Sequence, residues 1–189
     1  MTTKASLFVI SGPSGSGKSS LIADALKDLD NFEKSISATT RSARKGEKDG
    51  VQYHFISKED FEKQAREGSF LEWAEYSGYY YGTPKKFVED KLAAGINVIL
   101  EIEVQGAMQI MEAEVCAYYI FIVTTAMGEL RERLLKRGTD SPAEIERRMV
   151  IAEEELKYKK HYDCIIVNNN YNEALQNLKD VLLGTVGRK

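Results

Sequence analysis

The sequence predicts an α/β fold in which a parallel sheet carries helices on both faces. Short apolar runs alternate with stretches of helical periodicity, as in strands joined by crossover helices. The runs 97–102 and Tyr118–Val123 are rich in β-branched and aromatic residues, which is typical of buried central strands. Residues 35–81 break this alternation with aromatics, glycines and short strand-like pieces, so we expect an insertion there.

The remaining core elements follow the same alternation. A first strand is predicted at 5–10, a helix at 18–27 and a last short strand at Cys164–Val167. Further helical patterns cover 84–94, 104–111, 127–135, 141–157 and 173–183. Ser141, Pro142 and Glu144 have the spacing of a capping box with proline at the first helical position, and Gly95 is placed to end the helix before it.

Composition narrows the function classes. A chain of 189 residues fits one domain, 1–189, and its net charge of −3 argues against a broad grip on nucleic acid. No apolar stretch approaches the roughly eighteen residues of a membrane span, and the N-terminus does not resemble a secretory signal. We therefore expect a cytoplasmic protein whose cysteines, Cys116 and Cys164, are reduced and buried.

A glycine-rich segment directly after the first strand carries the strongest signal. Residues 12–19 read Gly-Pro-Ser-Gly-Ser-Gly-Lys-Ser, which matches the phosphate-binding P-loop between a strand and a helix. Its backbone N–H groups and the helix N-terminus attract phosphate, Lys18 would reach the β- and γ-phosphates, and the Ser19 hydroxyl would ligate Mg²⁺. A chance glycine- and serine-rich turn is the alternative. The predicted ATP-binding residues here are Gly12, Pro13, Ser14, Gly15, Ser16, Gly17, Lys18, Ser19 and Ser20.

Two further groups of residues fit phosphate chemistry, each with a plain alternative. Glu101 ends a predicted core strand, where a second acid facing Mg²⁺ is expected, although it could equally be a strand-end carboxylate in solvent. Arg41 and Arg44 lie three apart and could clamp a phosphate monoester beside Tyr53. A solvated basic loop would have the same sequence.

At this point the chain resembles the guanylate kinase family nearly from end to end. Beyond the P-loop, the resemblance is carried by T-T-R-x-x-R-x-G-E at 39–47, G-x-x-Y-x-F at 50–55, F-L-E-W-A at 70–74 and Y-Y-G-T at 80–83. It continues with the acidic strand end before Val-Gln-Gly at 104–106, R-G-T-D-S at 137–141 and I-V-N at 166–168. So many motifs in the same order make the resemblance highly specific.

The resemblance implies a P-loop core (1–34, 84–124 and 160–189), a GMP-binding insertion (about 35–83) and a lid with hinges (about 125–159). It implies ATP and GMP, with dGMP as a further acceptor, as small-molecule substrates, Mg²⁺ as cofactor, and no nucleic-acid or membrane partner; the oligomeric state stays open. The implied GMP-binding residues are Ser37, Arg41, Arg44, Tyr53, Glu72, Tyr81, Thr83 and Glu103. The implied ATP-side residues are Arg133, Arg137, Arg148 and Asn168, and the implied catalytic group is Lys18, Arg41, Arg137 and Arg148.

Three points qualify this interpretation. The family commonly has L-D-I-D where this chain has Leu-Glu-Ile-Glu at 100–103, so each carboxylate lies one methylene further from the backbone. The pairs Glu129/Arg133 and Glu144/Arg148 are also spaced i,i+4, as in any salt-bridged surface helix. A kinase for another small acceptor, or a silent module that binds phosphorylated proteins, would share the fold. Phe70 and Trp73 are expected in the core.

Overall fold

A computed structural model describes residues 5–76, 78–138 and 141–186, except for the side chain of Arg137. The elements run in the order β1 (Leu7–Ser11), α1 (Lys18–Ala25), β2 (Phe32–Lys34), β3 (Ala38–Thr39), β4 (His54–Phe55), α2 (Lys58–Arg66), β5 (Phe70–Tyr76), β6 (Tyr79–Pro84), α3 (Lys85–Ala93), β7 (Asn97–Glu101), α4 (Val104–Glu112), β8 (Tyr118–Val123), α5 (Met127–Arg137), α6 (Pro142–Leu156), a 3₁₀ turn (Lys157–His161), β9 (Cys164–Val167) and α7 (Tyr171–Thr185).

A five-stranded parallel sheet forms the centre of the fold, in the order β2-β7-β1-β8-β9. The predicted α/β class and its central strands are therefore confirmed. The edge strand β2 was not predicted, because three residues with a single buried side chain are too short to show a pattern. Parallel strands align their C-terminal ends, so the residues that follow β1, β7 and β9 meet along one edge of the sheet.

Each face of this sheet has its own apolar layer. One face packs Phe8, Ile10 and Ile99 against the helices α1 and α7. The other packs Val9 and Leu100 with helices α3 and α4. Most of these side chains are fully buried, and each contributes roughly 1.5–3 kcal/mol relative to an exposed position. This double layer fixes the strand ends that carry the polar residues.

A second, four-stranded sheet arises from the segment predicted to be an insertion. Its order is β4-β3-β6-β5, with antiparallel pairing of β6 to both β3 and β5. The segment also contains helix α2, which was not predicted. Phe61 is the buried residue of α2 and Ala65 is partly buried one turn later, so the apolar pattern there consists of only two residues. Ser57 caps the helix by accepting a hydrogen bond from the backbone N–H of Asp60 at 3.0 Å.

Helix punctuation agrees with the sequence. Ser141 caps α6 by accepting a hydrogen bond from the N–H of Glu144 at 3.3 Å, and Pro142 is the first helical residue. Gly95 follows α3 at a φ of 80°, a conformation that favours glycine.

Three burial predictions come out differently. Phe70 is buried as expected, but Trp73 is 42% exposed, because β5 alternates between the core and solvent. Both cysteines are free thiols, yet Cys116 is exposed in the turn before β8 and Cys164 is only partly buried at the start of edge strand β9. No helix in the described ranges is long and apolar enough to cross a membrane.

Candidate active site

The P-loop connects β1 to α1 and lies against the neighbouring strand. Gly12 has a φ of 142°, and a Cβ atom there would lie 2.0 Å from the backbone oxygen of Ile122 on β8. A Cβ at Gly17 would lie 2.3 Å from the side-chain nitrogen of Asn168, which follows β9. These two close contacts require glycine, and they hold the loop against the C-terminal edge of the sheet.

Lys18 is buried at the start of α1 and turns back into the loop. Its ammonium group donates hydrogen bonds to the carbonyl oxygens of Gly12 and Pro13, the latter at 3.1 Å. A second bond, from the N–H of Ser16 to the Pro13 carbonyl at 3.0 Å, closes the turn. A positive charge and the N-terminus of an α-helix therefore meet inside one loop, which is an anion-binding arrangement.

The Glu101 carboxylate lies beside the first turn of α1. One of its oxygens accepts a hydrogen bond from the Ser19 hydroxyl and the other pairs with the Lys34 ammonium group. The side chain is only 14% exposed, so the alternative of a solvent-facing strand end is wrong. Burial disfavours the charged carboxylate, but the charge and hydrogen bond of Lys34 outweigh it and lower the Glu101 pKa below its ordinary value.

Two arginines reach the P-loop from helices α5 and α6. Arg133 donates to the backbone oxygens of Asn168 at 2.6 Å and of Ser16 at 3.4 Å, and Arg148 lies 3.3 Å from the Ser14 hydroxyl. The Asn168 amide also donates to the Ser16 oxygen, at 2.7 Å.

The ion pairs predicted from helical spacing are present as well. They join Arg133 to Glu129 at 2.7 Å and Arg148 to Glu144 at 3.9 Å. The two interpretations of these arginines are therefore compatible, since each side chain contacts both its own helix and the loop.

Arg137 ends α5, and its side chain lies outside the described part of the chain. Ser20 is exposed on α1.

A second basic site lies in the loop after β3. The Arg41 guanidinium pairs with both oxygens of Glu47, at 2.9 and 3.0 Å, and lies 5.4 Å from the centre of the Tyr53 ring. The rings of Tyr53 and Tyr81 are 5.7 Å apart. Arg41 is 9% exposed, which rules out a solvated basic loop at this position, whereas Arg44 is exposed.

The Glu72 carboxylate is buried where β5 meets helix α4. Thr83 on β6 donates its hydroxyl to Glu72 Oε1 at 2.6 Å. A Cβ at Gly106 would lie 2.1 Å from Glu72 Oε2, so only glycine leaves room for the carboxylate. Burial raises the pKa of Glu72 to about 7, against the opposing effect of the Thr83 hydrogen bonds. The nearby charge of Glu103 adds to the increase.

Glu103 lies between β7 and α4, among other acids. Its Oε2 atom is buried and has no hydrogen-bond partner within the described residues. Glu155 on α6 is close by, and burial, followed by the negative charge of Glu103, raises its pKa. An unpartnered buried acceptor is costly unless a ligand donates to it. Ser37 precedes β3, where its carbonyl accepts from the N–H of His54 at 2.9 Å.

Four residues that the structure places in these sites have no role predicted from the sequence. Glu47 and Gly106 lay inside quoted motifs, so their positions were visible but their contacts were not. Lys34 belongs to the strand β2, which was not predicted. Glu155 lies near the end of helix α6, for which only the residues of the N-terminal cap and Arg148 were singled out from the sequence. No sequence signal marks these last two, because their partners are 67 and 52 residues away.

A P-loop at the C-terminal edge of a parallel sheet, together with a buried arginine and buried acids on neighbouring elements, is the arrangement expected of a P-loop nucleotide kinase. The sequence model of the family described as guanylate kinase matches residues 4–184. The chain belongs to the guanylate kinase family.

Individual relatives agree with this assignment. The chain is 46% identical over 183 residues to a guanylate kinase of Listeria innocua, covering 96% of this chain and 89% of the relative. It is 45% identical to one of Desulfitobacterium hafniense, with coverages of 94% and 88%. Among solved structures it is similar to guanylate kinase from Anaplasma phagocytophilum, at a TM-score of 0.81 and 32% identity over 97% of this chain and 87% of that one.

Proposed function

We propose that this protein transfers the γ-phosphoryl group of ATP to the phosphate of GMP and releases GDP and ADP. The observation that carries the choice of acceptor is the buried Glu72 carboxylate, held by the Thr83 hydroxyl and wedged against Gly106. Such a group suits a ligand edge that offers two hydrogen-bond donors. Guanine presents N1–H and an exocyclic amino group on one edge, and dGMP presents the same edge.

The buried acids Glu72 and Glu103 give a physical reason for selecting guanine over adenine. The N1 of adenine is an acceptor, so it would oppose a carboxylate lone pair and leave a buried oxygen unpaired. Sites built around hydrogen bonds to a ligand reject the analogue that lacks them by factors of about 10⁴–10⁵. Oε2 of Glu103 is buried without a partner among the described residues, and the neighbouring Glu155 carboxyl group interacts with the Glu103 side chain, so Glu103 can serve as a second acceptor for the base.

The phosphate of GMP fits the group formed by Arg41, Tyr53 and Tyr81, with the exposed Arg44 next to it, and Ser37 is assigned to the guanine together with Glu72, Thr83 and Glu103. Arg41 presents a guanidinium fork to Glu47, and the same fork matches two oxygens of a phosphate. A GMP phosphate oxygen is already ionised at neutral pH, so the attack needs no general base. Catalysis then consists of positioning and charge stabilisation by Lys18, Arg41, Arg137 and Arg148.

Mg²⁺ fits the residues beside the P-loop. Ser19 and Glu101 bring a hydroxyl and an ionised carboxylate together, and these are the hard oxygen ligands that Mg²⁺ prefers. In the described ranges, His, Cys, Asp and Glu form no group of three or more that could hold a metal. That agrees with an ion held mainly by nucleotide phosphates and water. When bound, the ion supplies positive charge to the phosphate oxygens.

A coupled assay of ADP formation tests this function. GMP, dGMP, AMP, UMP and a ribose phosphate would each be offered with ATP, with and without Mg²⁺. We expect turnover with GMP and dGMP that requires Mg²⁺, and a rate with AMP lower by orders of magnitude. Preference for another acceptor would favour a different small-molecule kinase. No turnover with any acceptor would favour a silent binding module. The cytoplasmic location and the division into core, insertion and lid stay predictions.

A further inference from the structure

Lys34 occupies a defined position next to the phosphate site. It is the last residue of β2 and pairs with Ile99 of β7 in parallel register. Paired residues direct their side chains to the same face of a sheet, and Glu101 lies two residues beyond Ile99 on that face. The Lys34 ammonium group bonds to Glu101 Oε2, while Ser19 donates to Oε1.

Lys34 is therefore the positively charged ion-pair partner of the Glu101 carboxylate. The Lys18 ammonium group also lies near Glu101, but its hydrogen bonds go to the carbonyls of Gly12 and Pro13. Glu101 is mostly shielded from water, whereas the Lys34 side chain is 36% exposed and can move away. One oxygen of Glu101 therefore pairs with the Lys34 ammonium group, and the other accepts a hydrogen bond from the Ser19 hydroxyl beside the P-loop.

We propose that Lys34 is a positioning residue that holds Glu101 in place and competes electrostatically with the divalent cation bound beside the ATP phosphates. This inference rests on the proposed function. Ser19 and Glu101 would hold a divalent ion, and that ion would share the Glu101 carboxylate with the Lys34 ammonium group, so the two like charges would repel. Lys34 thus weakens the link between cation binding and nucleotide binding.

The test measures how strongly Mg²⁺ improves the binding of a non-hydrolysable ATP analogue. The dissociation constant is determined by calorimetry in excess Mg²⁺ and in EDTA, and the ratio of the two values is the coupling. The variants are Lys34→Met, which removes the charge, and Lys34→Arg, which keeps it. Lys91→Met is the matched control, because Lys91 pairs with Glu33 of the same strand at 2.8 Å on the other face of the sheet.

We expect Lys34→Met to raise the coupling severalfold, and Lys34→Arg and Lys91→Met to leave it near the value of the unmodified protein. An unchanged or smaller coupling in Lys34→Met would overturn the inference, as would an equal rise in Lys91→Met. If the unmodified protein fails to bind the analogue, the proposed function fails with it. If it binds with normal coupling and Lys34→Met does not differ, only the role of Lys34 is lost.

A second measurement separates positioning from general damage to the fold. In EDTA, Lys34→Met leaves a buried carboxylate without its cation, so its melting temperature should fall below that of Lys34→Arg. Excess Mg²⁺ with the analogue should close part of this gap, because the divalent ion then neutralises Glu101. A gap that is the same in both conditions would mean that Lys34 only stabilises the fold.

Discussion

The proposed ATP side, formed by the P-loop, and the proposed acceptor side, formed by the insertion, hold their cationic groups in different ways. In the P-loop, Lys18 bonds to the neutral carbonyls of Gly12 and Pro13, which are weak competitors for a phosphate. In the insertion, Arg41 is paired through two hydrogen bonds with the Glu47 carboxylate. A phosphate that enters there must share or displace a charged partner. If the two sites bind as proposed, the ATP site is the more preorganised of the two, and we expect the larger rearrangement on binding of the acceptor.

The buried acids of the two sides also differ in whether a charged protein group pairs with them. Lys34 and Ser19 hold Glu101 in its charged form, with a lowered pKa. Glu72 has a hydroxyl partner, and burial raises its pKa to about 7. A carboxyl group with a pKa of about 7 is only partly charged at neutral pH, and hydrogen-bond donors from a ligand favour its charged form. If Glu72 binds guanine as proposed, binding of the acceptor therefore stabilises the charge of Glu72.

The largest expected effect tests the preorganised side. In the proposed function the charge of Lys18 faces the transferring phosphoryl group. Its removal in Lys18→Ala should therefore lower kcat by about 10²–10³-fold, as for other lost electrostatic groups. The melting temperature should change little, because the lost bonds go to loop carbonyls. Both are measured with the GMP-dependent ADP assay and calorimetry. Lys86→Ala, an exposed lysine paired with Asp90 on α3, is the control and should retain normal turnover. Near-normal kcat in Lys18→Ala would contradict the assignment.

Glu72→Gln tests the acceptor side at its centre. The amide keeps the size of the side chain but offers one acceptor where the carboxylate offers two, so kcat/KM for GMP should fall about 10–100-fold. The KM for ATP should stay the same. Glu75→Gln, on the same strand with its side chain in solvent, is the matched control. Unchanged GMP kinetics in Glu72→Gln would remove Glu72 from the base pocket.

Gly106→Ala should have a smaller effect through the same carboxylate. The new methyl group would start 2.1 Å from Glu72 Oε2 and must push that side chain aside. We expect the KM for GMP to rise about tenfold, the cost of roughly one weakened hydrogen bond. Gly128→Ala is the control, because nothing lies within 4 Å of the added methyl group on α5. Equal GMP kinetics in the two variants would show that Glu72 tolerates displacement.

The two sides also differ in how far the sequence predicts them. The P-loop is a contiguous motif between a strand and a helix, so its location followed from local pattern alone, and Glu101 was found from its strand end. The acceptor side joins short strands, one helix with a single buried residue, and acids from distant segments. Glu72 and Glu103 were named only through family resemblance. The ion pairs of Lys34 and Arg41 could not be derived, since they depend on strand register and loop closure.

The smallest expected effect is on how the stability of the folded protein depends on pH. The Glu72 pKa is about 7 in the folded protein and near 4.5 when unfolded, so between these values the folded state binds more protons. Stability from this group is therefore present below about pH 4.5 and is lost as pH rises through 7. Glu72→Gln lacks this titration. Between pH 5 and pH 8, the melting temperature of Glu72→Gln should rise by about 3 °C relative to that of the unmodified protein. This corresponds to a change in the free energy of unfolding of the order of 1 kcal/mol, if the structure around the charged Glu72 partly relaxes. Glu75→Gln should show no such trend, and a flat difference in both variants would mean that Glu72 does not titrate with a pKa of about 7 in the folded protein.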